Sequence, residues 1–238
     1  MSPWRDQVLG GGDMARTIVF DVNETLLDLT ALDPRFERAF GRSGVRREWF
    51  AQMLQSAFVS TITDSYEDFG AIGRGALDMV AQRSGVGLAA EERDAILGTM
   101  RELPPHPEVP AALQRLRDAG LRLAALTNST EAVATAQLTY AGLAPLFERI
   151  LSADSARRLK PAREAYETAA TDLGVDIGGI RLVAAHAWDI AGALRAGAAA
   201  AFVARPGMVL DPLPPAPDIV GSDLEEVATR IIEVELEA

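Results

Sequence analysis

Four short polar clusters each stand at the end of an apolar run: Asp21-Val22-Asn23-Glu24-Thr25, Thr127-Asn128-Ser129, Lys160-Pro161 and His186-Ala187-Trp188-Asp189. Each has an ordinary explanation when read alone. An Asp after a strand makes a turn or a cap, and Lys-Pro starts a helix. Chemistry enters if the four meet. They would then place two carboxylates, an ammonium, an imidazole and several hydroxyls around one point. A carboxylate held ionised in a partly desolvated site is a nucleophile, and Asp21 is the candidate.

The elements that must position these residues follow from the hydrophobic pattern. Thr17–Phe20 is a β-branched and aromatic run, the pattern of a buried strand. Further short apolar runs lie at Leu121–Leu126, Arg149–Leu151, Arg181–Ala184 and Ala201–Ala204, with a last one at Asp218–Val220. Helical spacing separates them, at Pro110–Ala119, Glu131–Ala141, Ala162–Leu173, Ile190–Ala196 and Leu224–Val234. Asn128-Ser129-Thr130 can cap the second of these helices. Strands alternating with helices imply parallel βαβ units, hence an α/β fold with a doubly wound parallel sheet. In such a sheet the carboxyl ends of the strands share one edge, where ligands bind. That edge is where all four clusters fall.

The segment 29–106 reads differently. It has helical periodicity near Pro34–Phe40, Arg47–Ser60, Tyr66–Gln82 and Ala90–Met100, and the prolines from Pro104 to Pro107 end it. The expected division is an α/β core of 15–28 and 107–238 with an inserted helical domain at 29–106. Residues 1–14, with Gly10-Gly11-Gly12, read as a disordered extension, Met14 being a natural start. Trp49, Phe50, Phe58, Tyr66 and Phe69 read as the core of the helical segment. Glu24, Arg157 and Arg158 read as solvated loop residues, and His106 as structural.

The chain of 238 residues has no cysteine, which excludes disulfides and thiolate chemistry and fits a cytoplasmic location. Its formal net charge of −11 disfavours nucleic acid and anionic membrane as partners. A small anionic substrate stays admissible, because a few placed cations and N–H groups reverse the field locally. No run of about 20 apolar residues exists to span a membrane.

Taken together, Asp21-Val-Asn-Glu-Thr-Leu-Leu-Asp28, Leu126-Thr-Asn-Ser129, Leu159-Lys-Pro161 with Tyr166, and Ala185-His-Ala-Trp-Asp189 resemble the haloacid dehalogenase superfamily. Within it they look like the L-2-haloacid dehalogenase (type II) branch. The resemblance runs from about Arg16 to Val227. It implies a HAD-like core with a helical cap, and a homodimer. Asn23 stands where phosphatases of the superfamily carry a second Asp as general acid/base, and Ala185 where an Asp often helps to hold Mg²⁺. Phosphoryl transfer is therefore disfavoured, and neither metal nor other cofactor is expected.

The resemblance implies substitution at carbon. Asp21 would displace halide from C2 of a short (S)-2-haloacid, and water would hydrolyse the resulting ester to the 2-hydroxy acid. Lys160 would keep Asp21 ionised, with Thr25 and Thr127 orienting its oxygens. Thr127 and Asn128, with the N–H groups of Val22 and Asn23, would hold the substrate carboxylate. Asp189 would position Lys160 or water, and Tyr166 and Trp188 would face the pocket. Another small acid or a phosphate ester is the alternative substrate, and a catalytically silent relative the alternative class.

Three departures limit this. The family's halide-receiving Arg follows a Trp in the cap; here Phe50 follows Trp49. Arg46 and Arg47 are near in sequence, on what reads as another helical face. His186 replaces the family's Asn, and Ala184 a Ser. His186, titrating near neutral pH, could activate the hydrolytic water or donate to the halide.

Overall fold

A computed structural model describes residues 15–237; the extension expected at 1–14 lies outside the described residues. Six strands form one parallel sheet: β1 Thr17–Phe20, β2 Leu123–Thr127, β3 Arg149–Ser152, β4 Ile180–Ala184, β5 Ala199–Val203 and β6 Ile219–Gly221. Their order is β3-β2-β1-β4-β5-β6. The winding reverses at β1, which has β2 on one side and β4 on the other. The crevice beyond the carboxyl ends of these three strands is the binding edge of a doubly wound sheet.

Alternate side chains of each strand serve opposite faces, as the period of two requires. Ile18, Phe20, Leu123, Ala125, Val183 and Val203 belong to one buried cluster, while Val19, Ala124, Leu126, Leu182, Ala184 and Phe202 belong to another. Helices α5 Val109–Asp118, α6 Glu131–Tyr140 and α9 Leu224–Leu236 cover the first face. Helices α7 Arg163–Asp172 and α8 Ala187–Ala196 cover the second.

Between β1 and α5 the chain forms α1 Asp33–Phe40, α2 Val45–Ile62, α3 Phe69–Arg83 and α4 Ala90–Gly98. Phe36, Trp49, Phe50, Met53, Phe69 and Leu77 of these helices join the first cluster. The outgoing and returning connections lie side by side, with Leu27 bridged to Pro105 and the Asp28 N–H donating to the Pro104 carbonyl at 2.8 Å. Among the described residues no helix is long and apolar enough to cross a membrane.

Three of the ends that differ from the sequence expectation have a physical reason that bears on the site or the sheet. β2 starts two residues late because Gly120, at φ 88, and Leu121-Arg122 turn the chain after α5. β5 starts at Ala199: alanine is a poor strand former, but pairing with β4 overrides that. α8 begins at Ala187, so His186 is its N-cap and Asp189 sits in its first turn, where the helix dipole favours an anion.

Candidate active site

Asp21 leaves β1 at the switch point, 5% exposed. Every polar group around its carboxylate donates. Lys160 Nζ is 2.9 Å from Oδ1, Thr25 Oγ1 donates to Oδ2 at 2.6 Å, and His186 Nδ1 lies 3.3 Å from Oδ2. Burial pushes the Asp21 pKa up. The Lys160 charge, then the bond and charge of His186 and the Thr25 hydroxyl, outweigh it and hold the carboxyl well below its ordinary value. Thr25 is itself fixed, because its hydroxyl accepts from the Ala185 N–H at 3.0 Å and its carbonyl accepts from Arg205 at 2.9 Å.

Lys160 is fully buried and uses three acceptors: Asp21, Asp189 Oδ2 at 2.7 Å and the Leu126 carbonyl at 2.9 Å. Burial disfavours the ammonium, yet the charges of Asp189 and Asp21 raise its pKa above the usual value. Burial lifts Asp189 above its ordinary value, against the pull of Lys160. Tyr166 was expected to face the pocket. It is instead fully buried, with its hydroxyl on Asp189 Oδ1 at 2.5 Å. Tyr166 therefore positions Asp189, which positions Lys160.

This layer depends on a glycine. A Cβ on Gly192 of α8 would stand 2.6 Å from both the Tyr166 hydroxyl and Pro161 Cβ, and 3.0 Å from the Pro161 carbonyl. Gly192→Ala is expected to lower stability by about 1–3 kcal/mol through overpacking. A urea midpoint equal to that of the parent would show that α8 can shift freely.

Asn128 does not offer its side chain to a ligand. Its Oδ1 accepts from the Lys160 N–H at 2.7 Å and its Nδ2 donates to the Lys160 carbonyl at 3.3 Å. The two-way pair fixes the main chain that carries Lys160 and ties the Asn128 side chain to it. Thr127 does not touch Asp21; its hydroxyl accepts from the Ser129 N–H at 3.2 Å. Nor do the side chains of the three polar residues cap α6. Thr130 is the N-cap and makes no side-chain cap bond, while the Ser129 hydroxyl accepts from Asn23 at 3.4 Å. Asn23 also accepts from Gln137 at 3.1 Å, so its amide faces α6. Val22 is fully buried and can contribute only main chain.

His186 departs furthest from expectation. Its Nε2 is 3.0 Å from Glu24 Oε2, so both ring nitrogens face carboxylates. Ionised carboxylates only accept, so the ring carries both protons. Burial opposes this, but the hydrogen bonds to Asp21 and Glu24 and their charges raise the pKa to about 9. At neutral pH His186 is an imidazolium and does not titrate there. Phe50 lies over it with centroids 6.0 Å apart, and Trp188 stacks on it at 5.2 Å.

Glu24 is not a solvated loop residue. Besides His186 it receives Arg46 Nη1 at 3.1 Å, and Arg46 is bound by Asp33 at 2.7 Å. Its backbone is left-handed, φ 62, which costs a residue with a Cβ about 1–2 kcal/mol. Arg46 lies four residues before Phe50 and so on the same face of α2, not a different one; it is buried, whereas Arg47 is exposed. Charges thus alternate along a chain of contacts: Asp33, Arg46, Glu24, His186, Asp21, Lys160, Asp189. Of the two remaining loop arginines, Arg157 lies 4.4 Å over the Tyr66 ring and Arg158 pairs with Asp64.

A cleft of about 650 Å³ opens beside this chain, lined by Glu24, Arg46, Phe50, Ala185, His186 and Trp188 among others. Among the described residues, no three His, Asp or Glu side chains gather as a metal-ligand set.

A family model for haloacid dehalogenase-like hydrolases matches residues 15–197. The (S)-2-haloacid dehalogenase of Pseudomonas sp. (strain YL) is 30% identical over 208 residues, which is 87% of this chain and 90% of that protein. The haloacetate dehalogenase H-2 of Moraxella sp. (strain B) is 30% identical over 84% of this chain and 91% of its own. The solved structure of L-2-haloacid dehalogenase from Xanthobacter autotrophicus superposes with a TM-score of 0.86 at 25% identity, covering 94% of this chain and all of that one. The chain belongs to the haloacid dehalogenase-like hydrolases.

Proposed function

We propose that this enzyme hydrolyses a short (S)-2-haloacid to the 2-hydroxy acid through an ester on Asp21. One observation carries the reading: Asp21 is a buried, ionised carboxylate, and the residue two positions on, Asn23, turns a neutral amide away toward Ser129 and Gln137. The carboxyl that would protonate an alkoxide leaving a phosphate ester is missing from the position two residues after the nucleophile. Halide needs no such proton.

In the first half an Asp21 oxygen forms a bond to C2 from the face opposite the halogen. The carbon–halogen bond breaks and its electron pair leaves as halide. The substrate carboxylate lies against the N–H groups of Val22, Asn23 and Asn128, near the start of α6, where the dipole favours an anion. In the second half water adds to the Asp21 carbonyl carbon, and the hydroxy acid departs with C2 inverted. The helices α1–α4, with Phe50 on α2, form the cap that shields the ester from above, Trp188 of α8 closes it from the core side, and the substrate is a small anion. The names of the relatives support the same substrate class.

Incubation of the purified protein with 2-chloropropionate, chloroacetate and fluoroacetate tests this. Halide release from at least one, unchanged by EDTA, is expected. Silence on all three, with Mg²⁺-dependent hydrolysis of p-nitrophenyl phosphate, would overturn it.

A further inference from the structure

We propose that the seam between the end of α2 with the turn after it, residues 60–66, and the core loop at 156–158 binds a phosphate group, free or carried on a small ester. The seam shares no lining residue with the catalytic cleft.

Buried polar atoms in a folded protein almost always have a hydrogen-bond partner, and each exception calls for a water, an ion or a ligand. Among the described residues six buried side-chain nitrogen or oxygen atoms have no such partner. Three of the six meet at one place: Thr61 Oγ1 near the end of α2, the Tyr66 hydroxyl on the turn after it, and Arg158 Nε on the loop that leads to Lys160. All three residues line a hollow of about 400 Å³, together with Ser60, Asp64 and Arg157. Each wall also turns through a left-handed residue, Asp64 at φ 53 and Arg157 at φ 48. Side chains with a Cβ disfavour that conformation, and it recurs at ligand clamps.

The chemistry of the occupant follows from what these groups can give. A guanidinium only donates, and a hydroxyl can donate. Arg157 lies 4.4 Å over the Tyr66 ring and has no carboxylate partner among the described residues. Two acids stand near. Asp64, largely exposed, pairs with Arg158 Nη1, and Glu164 Oε1 is 3.7 Å from Arg158 Nε, outside hydrogen-bond range. They occupy Arg158 in part and leave Arg157 to a ligand. The Ser60 hydroxyl already donates to the Ser65 carbonyl at 2.5 Å.

The hollow therefore has an excess of donors, hydroxyls from the cap wall and guanidinium groups from the core wall. One water has two lone pairs and cannot serve them all. A tetrahedral phosphate presents oxygens to both walls at once, and its bonds to arginine are of the strong, charge-assisted kind. Held there, it ties cap to core at a second place, apart from the Leu27–Pro105 bridge. Lys160 stands two residues beyond Arg158, so one loop carries a cation for the nucleophile and another for this anion.

The test follows backbone amides by NMR in the full chain while inorganic phosphate or glycerol 3-phosphate is added at constant ionic strength. Saturable shifts are expected at residues 60–66 and 156–158 with both, and the tighter of the two identifies the ligand as free or esterified. Tyr66→Phe removes one hydroxyl. Arg157→Gly removes one guanidinium, and glycine suits φ 48. Each is expected to weaken binding about 10-fold, with spectra that overlay on the parent's outside the two loops. No saturable shift in either loop, or parent-like affinity in both variants, would overturn the site. Shifts confined to the amides of Val22, Asn23 and Asn128 would overturn it as well, since the anion would then bind at the catalytic centre alone.

Discussion

Replacing Lys160 by methionine is expected to destabilise the fold by about 3–5 kcal/mol near neutral pH and to abolish turnover. The substitution keeps the length of the side chain, so packing changes little. What is lost is the one cation between Asp21 and Asp189, 2.9 Å and 2.7 Å from their oxygens. Both carboxylates then stay buried, and Asp189 has no cationic partner.

The pH dependence gives the diagnostic. In the parent, the folded Asp21 pKa lies below the unfolded value, so its contribution is complete above the ordinary carboxylate range and is lost as pH falls through the depressed pKa. Burial already lifts Asp189, and without Lys160 this lift is unopposed. A raised folded pKa stabilises below the unfolded value and is lost as pH rises. Lys160→Met should therefore recover part of its deficit on moving from about pH 7 to about pH 5 in urea unfolding. A deficit independent of pH would mean that the buried charges are not its source.

Asp21→Asn is the second large effect. Turnover should fall by at least about 10⁴-fold, with no mass added to the protein by any haloacid, while the fold persists. The same variant removes one of the two acceptors of the His186 ring. The raised pKa, about 9 in the parent, should then drop, which histidine NMR reads directly. Halide release at even a hundredth of the parent rate would displace Asp21 as nucleophile.

The strands and the helices that carry these groups were legible because each buries a run or a stripe with its own period. Strand order was not, since it depends on which crossover goes to which side. At the site, Asp21, Lys160 and Asp189 could be brought together in advance by the family resemblance, and a buried nucleophilic carboxylate needs such a counter-charge. Glu24 could not. A glutamate in a polar loop reads as solvated unless one knows that φ 62 turns it inward to a buried arginine and histidine. The Arg46 signal was present: four residues separate it from Phe50, a single helical face. The side chains of Asn128 and Tyr166 were placed near the right point but each meets a neighbour already held there, Lys160 and Asp189.

The left-handed turn at Glu24 also has a consequence for reading related sequences. A position with φ 62 selects glycine unless a longer side chain is repaid by its contacts. Here repayment comes from His186 and Arg46 together. A relative with glutamate at this turn should therefore carry the histidine before Ala-Trp-Asp and an arginine four residues ahead of the Phe50 position. A relative with glycine there has no reason to keep either. The three residues amount to a signature that sorts members of this family by which charges stand beside the nucleophile, readable before any of their structures is known.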